Sequence, residues 1–176
     1  MVTENRPDLV WMAATELRAH LQRGEFSAAD LTEILLKRID EKEPKIGAFA
    51  FHDPDLVRKM AAAADAYRNT GRALGALHGL PVGVKDIIDT ADMPTENGTP
   101  IDAGRQPTRD ATIVQRLRSA GAVIMGKTVT TEFASMYPGK TVNPHNRDHT
   151  PGGSSSGSAA AVAAGMVPLA IGTQTA

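Results

Sequence analysis

Apolar positions at Leu9, Met12, Ala13, Leu17 and Leu21 recur at helical spacing and predict a helix from Leu9 to Arg23, stopped by Gly24. Ser27 is placed to cap a second helix with Asp30 at its third position, and Leu31, Ile34, Leu35 and Ile39 line one side before Pro44. A third stripe, Leu56, Met60, Ala63, Ala64 and Tyr67, predicts a helix from about Asp55 to Arg68, followed by Gly71. The texture then changes. Leu80 to Ile88 is short, apolar and β-branched, entered through Gly79 and Pro81, and predicts a buried strand whose apolar run is interrupted by Lys85 near its loop end. Asp89 to Pro107 reads as an irregular loop, Asp110 as the cap of a helix carrying Ile113, Val114, Leu117 and Ala120, and Ala122 to Gly126 as a second strand. A turn-rich stretch from Pro138 to Pro151 leads into a glycine-serine run, an Ala-rich helix and a strand-like segment from Val167 to Ile171.

Strand, helix and strand in succession predict an α/β fold: an incomplete mixed sheet with flanking helices, preceded by N-terminal helices. Residues 1–70 read as a helical segment packing on the core, and residues 71–176 as the first part of an α/β domain whose apolar pattern still runs at Ala176.

Composition narrows the function. Nineteen Lys and Arg against 20 Asp and Glu give a formal charge of -1, which supplies no general attraction for nucleic acid or an anionic membrane. No cysteine is present, so a nucleophile would be an oxygen or an amine. Met1 to Val10 does not resemble a secretory signal and no apolar run approaches a bilayer span, so a cytoplasmic protein is expected.

The candidate chemistry gathers at two places. A lysine held between Val84 and Ile87 near a strand end is desolvated, which favours its neutral, proton-accepting form; the plainer role is a snorkelling lysine or one paired with Asp86. Asp86 itself is expected to position the strand's loop end. Pro151-Gly152-Gly153-Ser154-Ser155-Ser156-Gly157-Ser158 puts hydroxyls and free N–H groups at a helix start, compatible with a phosphate nest, a hydroxyl relay or a serine-rich cap. Gly126-Lys127-Thr128 lacks the preceding glycine-rich loop of a nucleotide site. His145 and His149 sit among turn residues, outside any metal-binding helix pattern.

Three segments carry a resemblance. Gly79-Leu80-Pro81-Val82-Gly83-Val84-Lys85-Asp86, Gly126-Lys127-Thr128 with Glu132-Phe133, and Pro151 to Ser158 continuing to Gly172-Thr173-Gln174-Thr175-Ala176 resemble the amidase signature family of serine hydrolases. The resemblance implies hydrolysis of carboxamides without metal or organic cofactor. It assigns Lys85 as the base, Ser154 as the serine after a cis peptide bond, Ser155 as a supporting hydroxyl of the lysine network, and Thr175 and Ala176 as the approach to the oxyanion loop. Gln174 stands where the family often has an acidic residue. The family's nucleophilic serine would be the second residue past Ala176, so this chain alone is expected to be inactive and to need the remainder of the same enzyme. Expected partners are a small-molecule amide substrate and, as a further option, a second copy in a homo-oligomer, with neither nucleic acid nor membrane. An amidotransferase subunit, and a non-catalytic fragment that binds a small ligand or a partner, are the alternatives.

Overall fold

The computed structural model describes residues 7–174. Helices α1 (Ala14–Arg23), α2 (Ala28–Ile46) and α3 (Pro54–Asn69) come first, with a short strand β1 (Phe49–Phe51) between the last two. They are followed by β2 (Pro81–Lys85), α4 (Thr112–Ser119), β3 (Val123–Thr128), α5 (Ser156–Ala163) and β4 (Ala170–Ile171). The strands form one mixed sheet in the order β1-β3-β2-β4, with β2 parallel to both neighbours and β1 antiparallel to β3. The fold is therefore α/β with a mixed sheet and flanking helices, as the sequence predicts.

Several boundaries differ, each for a local reason. The helix predicted from Leu9 divides: Pro7–Trp11 is a 3-10 turn, and α1 starts only at Ala14, after an extended Ala13 whose N–H donates to the Glu16 carboxylate. Ser27 does cap α2, accepting the Asp30 N–H at 2.9 Å while Asp30 accepts the Ser27 N–H at 3.1 Å. That helix runs past Pro44, and the Glu43 carboxylate then takes the N–H groups of Ala48 and Phe49, both at 2.9 Å, turning the chain into β1. Asp110 does not cap α4. Its carboxylate accepts from Ala91 N–H at 2.7 Å and from Arg118 Nε at 2.9 Å, and the charged partner makes this the stronger arrangement.

Two cores lie against the sheet. One joins Leu17, Leu31, Leu35 and Val57 of the N-terminal helices to Met125, Ala160 and Ala161; the other joins Val82, Val84 and Ile124 to Val114, Leu117 and Met93. A bulge in β3 decides which residues meet which core. Val82 aligns with Ile124 but Gly83 aligns with Gly126, so Met125 is an extra residue and Val84 then faces Lys127 while Lys85 faces Thr128. Gly126 sits at φ +153°, and a Cβ there would stand 2.6 Å from the Phe51 carbonyl oxygen.

Helix α5 is wedged onto the sheet through Gly157, whose N–H donates to Val129 O at 2.9 Å. A Cβ at this position would lie 2.2 Å from Ala48 O and 2.3 Å from Val129 N, all rigid backbone. Gly157→Ala is expected to destabilise the protein by at least about 1–3 kcal/mol, read as a lower urea midpoint. An unchanged midpoint would mean that α5 shifts freely.

Candidate active site

Lys85 ends β2, and the chain turns away immediately after it, Ile88 N–H donating to Lys85 O at 3.0 Å. Alternation along β2 gives this side chain the face that packs on α5, where its amine has no exposure to solvent. Lys85 Nζ lies 2.6 Å from Ser154 Oγ and 2.6 Å from Thr173 Oγ1. No carboxylate forms an ion pair with it among the described residues. Burial alone pushes its pKa below the ordinary lysine value of 10.5, because an ammonium there is deprived of water.

Ser154 follows a cis peptide bond from Gly153 and is itself buried, with its carbonyl accepting Thr131 N–H at 2.9 Å. The chain then enters α5 within two residues, so the serine is held between a strand-end contact and a helix start. Ser155 is not bonded to Lys85. It instead clasps the Thr173 backbone, accepting its N–H at 3.1 Å and donating to its carbonyl at 3.2 Å. Thr175 and Ala176 lie outside the described residues.

Asp86 points to the opposite face, as strand alternation requires. There it pairs with Lys127 at 3.1 Å and accepts Glu96 N–H at 3.2 Å, so the salt-bridge partner considered for Lys85 belongs to another lysine. Lys127 also donates to Pro94 O at 3.0 Å and to Thr95 Oγ1 at 2.5 Å, which ties the 94–96 loop under the sheet. Burial pushes the Asp86 carboxyl upward and the Lys127 amine downward, and each charge opposes the other's shift. Both side chains are essentially fully buried.

Two residues of this arrangement were not among the sequence candidates. Lys127 had the signal that drew attention to Lys85, a charge inside an apolar strand, but the bulge that turns it toward Asp86 leaves no mark in the pattern. Thr173 stands in a segment that carries the resemblance but had no local sign of contact with Lys85, because it meets that amine only through the pairing of β4 with β2. A second hydroxyl pair, Thr128 Oγ1 and Ser158 Oγ at 2.6 Å, links β3 to α5 beside the lysine, and Ser158 also donates to Ile171 O at 3.1 Å.

A buried lysine of lowered proton affinity, bonded to a serine hydroxyl, can take a proton from that serine and return it. Known proteins share the fold and much of the sequence that hold these residues. The chain is 45% identical over 175 residues to one subunit of the glutamyl-tRNA(Gln) amidotransferase of Chloroflexus aurantiacus, an alignment covering 96% of this chain and 36% of that protein. Among solved structures, the peptide amidase of Stenotrophomonas maltophilia superposes with a TM-score of 0.80 at 40% identity, covering 89% of this chain and 34% of that one. A fatty acid amide hydrolase superposes with a TM-score of 0.88 at 26% identity, covering 97% of this chain and 31% of the other. The chain thus spans about a third of the length of these relatives. No helix among the described residues is long and apolar enough to cross a membrane. The Amidase family matches from residue 30 to residue 176, most of the sequence and every segment of the Lys85 site, and the chain belongs to that family.

Proposed function

We propose that the protein cleaves a carboxamide C–N bond through a serine acyl-enzyme, with Ser154 and Lys85 as its proton relay. The nucleophile in this scheme is the serine expected two residues past Ala176, supplied by the full-length protein. Its hydroxyl proton passes to Ser154 Oγ as the Ser154 proton passes to neutral Lys85. The nucleophile oxygen bonds to the carbonyl carbon and the C=O pair moves onto oxygen, where backbone N–H groups stabilise it. Collapse of this intermediate breaks the C–N bond, and the departing amine takes the proton back through Ser154. Water then cleaves the ester by the same relay, releasing the carboxylic acid. Residues 71–176 carry the chemistry in this scheme, and residues 1–70 brace it.

The observation supporting this most directly is the 2.6 Å contact between Ser154 Oγ and a wholly buried amine that has no carboxylate partner among the described residues. Similarity to an amidotransferase component favours a second version of the same chemistry, in which the amide is glutamine and the released ammonia passes to a partner enzyme.

Ammonia release by the full-length protein from a panel of glutamine, aliphatic amides and aryl amides tests both. Ser154→Ala is expected to lower kcat/KM at least about a hundredfold for any amide turned over. Hydrolysis unaffected by that change would refute the relay. Ligand binding without turnover, insensitive to Ser154 and Lys85 alike, would instead support a non-catalytic binding protein.

A further inference from the structure

A neutral amine has two N–H bonds and one lone pair, so Lys85 can accept a proton from only one of the two hydroxyls that touch it. Ser154 Oγ and Thr173 Oγ1 stand at the same distance, 2.6 Å, and distance alone does not choose between them. The relay works only when the lone pair faces Ser154. We propose that Thr173 is a positioning residue, a role that rests on the amide-hydrolysis reading above: its hydroxyl oxygen accepts an amine N–H and so leaves the Lys85 lone pair directed at Ser154.

Thr173 is built into place from several sides. Upstream, Ala170 and Ile171 pair with Gly83 and Val84 of the strand that carries Lys85. Ser158 Oγ donates to Ile171 O at 3.1 Å, and Ser155 fixes both backbone polar groups of Thr173. Between them, a Cβ at Gly172 would stand 2.7 Å from Ser155 Oγ, so this clasp closes only around a residue without a side chain. Such support shells hold catalytic groups within the tolerance that proton transfer needs. The part assigned to Ser155 by resemblance is thereby exerted one step away from the amine, through Thr173.

Among the described residues, no salt bridge reaches Lys85 from the elements packed around it. Helix α5 and β4 carry no ionisable side chain, Lys127 of β3 lies on the opposite face with Asp86, and Asp89 beyond them is paired with Arg105 at 2.7 Å. Hydrogen-bond acceptance by Thr173 therefore bears directly on the amine. An ammonium N–H donates more strongly than an amine N–H, so removing this acceptor weakens the protonated form more than the neutral one.

In the full-length protein, Thr173→Val is expected to lower kcat about tenfold to a hundredfold with KM changed less than about twofold, because orientation is lost while binding is not. The acid limb of its kcat/KM profile should move to lower pH. Thr173→Ser should restore both rate and limb. Protein labelled with 15Nζ-lysine gives a readout independent of substrate: the signal missing in Lys85→Ala should titrate at lower pH in Thr173→Val and at the wild-type position in Thr173→Ser. An unmoved Lys85 titration in folded Thr173→Val, or equal rate losses in the Val and Ser variants, would overturn the role of Thr173. Full activity in Lys85→Ala would overturn amide hydrolysis through this relay itself. An inactive Lys85→Ala beside a wild-type-like Thr173→Val would remove Thr173 alone.

Discussion

Lys85→Met in the full-length protein is expected to lower kcat/KM for amide hydrolysis by about 10³- to 10⁴-fold, the upper part of what positioned proton transfer contributes. Methionine matches the length and apolar character of the lysine stem but has no proton-accepting nitrogen, so the site keeps its packing and loses its base. The pH dependence follows from the direction of the Lys85 shift. Burial lowers its folded pKa below 10.5, so the base is free above that lowered value and wild-type activity rises with pH through it. Stability responds in the same window. Between the folded value and the unfolded one the unfolded chain holds a proton that the folded chain lacks, so unfolding becomes harder as pH rises across this interval. The penalty for charging the amine is complete below the folded value. Lys85→Met removes that slope, and relative to wild type it should be most stable at low pH. Urea midpoints measured across the window check this, and parallel curves for the two proteins would show that the amine is not desolvated.

Asp86→Ala is expected to cost about 3–5 kcal/mol, because it leaves the Lys127 ammonium buried without its counter-charge. Lys127 has no exposure to solvent, and its remaining partners, Pro94 O and Thr95 Oγ1, are neutral. The 94–96 loop held by the pair should loosen as well, since Glu96 N–H loses its carboxylate acceptor. Removing both charges in Asp86→Leu/Lys127→Met should recover most of the loss, as replacement of a whole buried pair by apolar groups often does. Chemical denaturation of the wild type, the two single variants and the double variant closes the cycle. A cost below about 1 kcal/mol for Asp86→Ala would mean that water or another acceptor reaches Lys127.

The contrast between these two neighbouring residues shows what the sequence could and could not reveal. Helices α2 and α3 were legible because long stripes at period 3.6 average out local noise, and Ser27 announced the start of one of them. Lys85 was legible because a charge within a short apolar strand has few explanations. Three-residue β1 was not, since Phe49–Phe51 offers too little alternation and depends on the Glu43 carboxylate and on β3 for its existence. Asp110 misled because a residue that can cap a helix can also serve an arginine, and Arg118 is close in space through the helix turn. Thr173 and Lys127 acquire their partners from sheet register, which is a long-range property. The resemblance assigns both Ser154 and Ser155 to the lysine network; that Ser155 bonds the Thr173 backbone while Ser154 meets the amine depends on the pairing of β4 with β2, which leaves no local pattern.

Register also has a cost attached to error. Were Met125 to align with Gly83 rather than bulge, Gly126 would oppose Val84 and the two lysines of adjacent parallel strands would stand shoulder to shoulder. The Lys127 ammonium would then crowd the Lys85 amine in a dry interior, the aspartate would lose its mate, and Ser154 would share its amine with a rival cation. Misalignment by a single step thus penalises itself, and one surplus methionine keeps the two polar sites back to back instead of side by side.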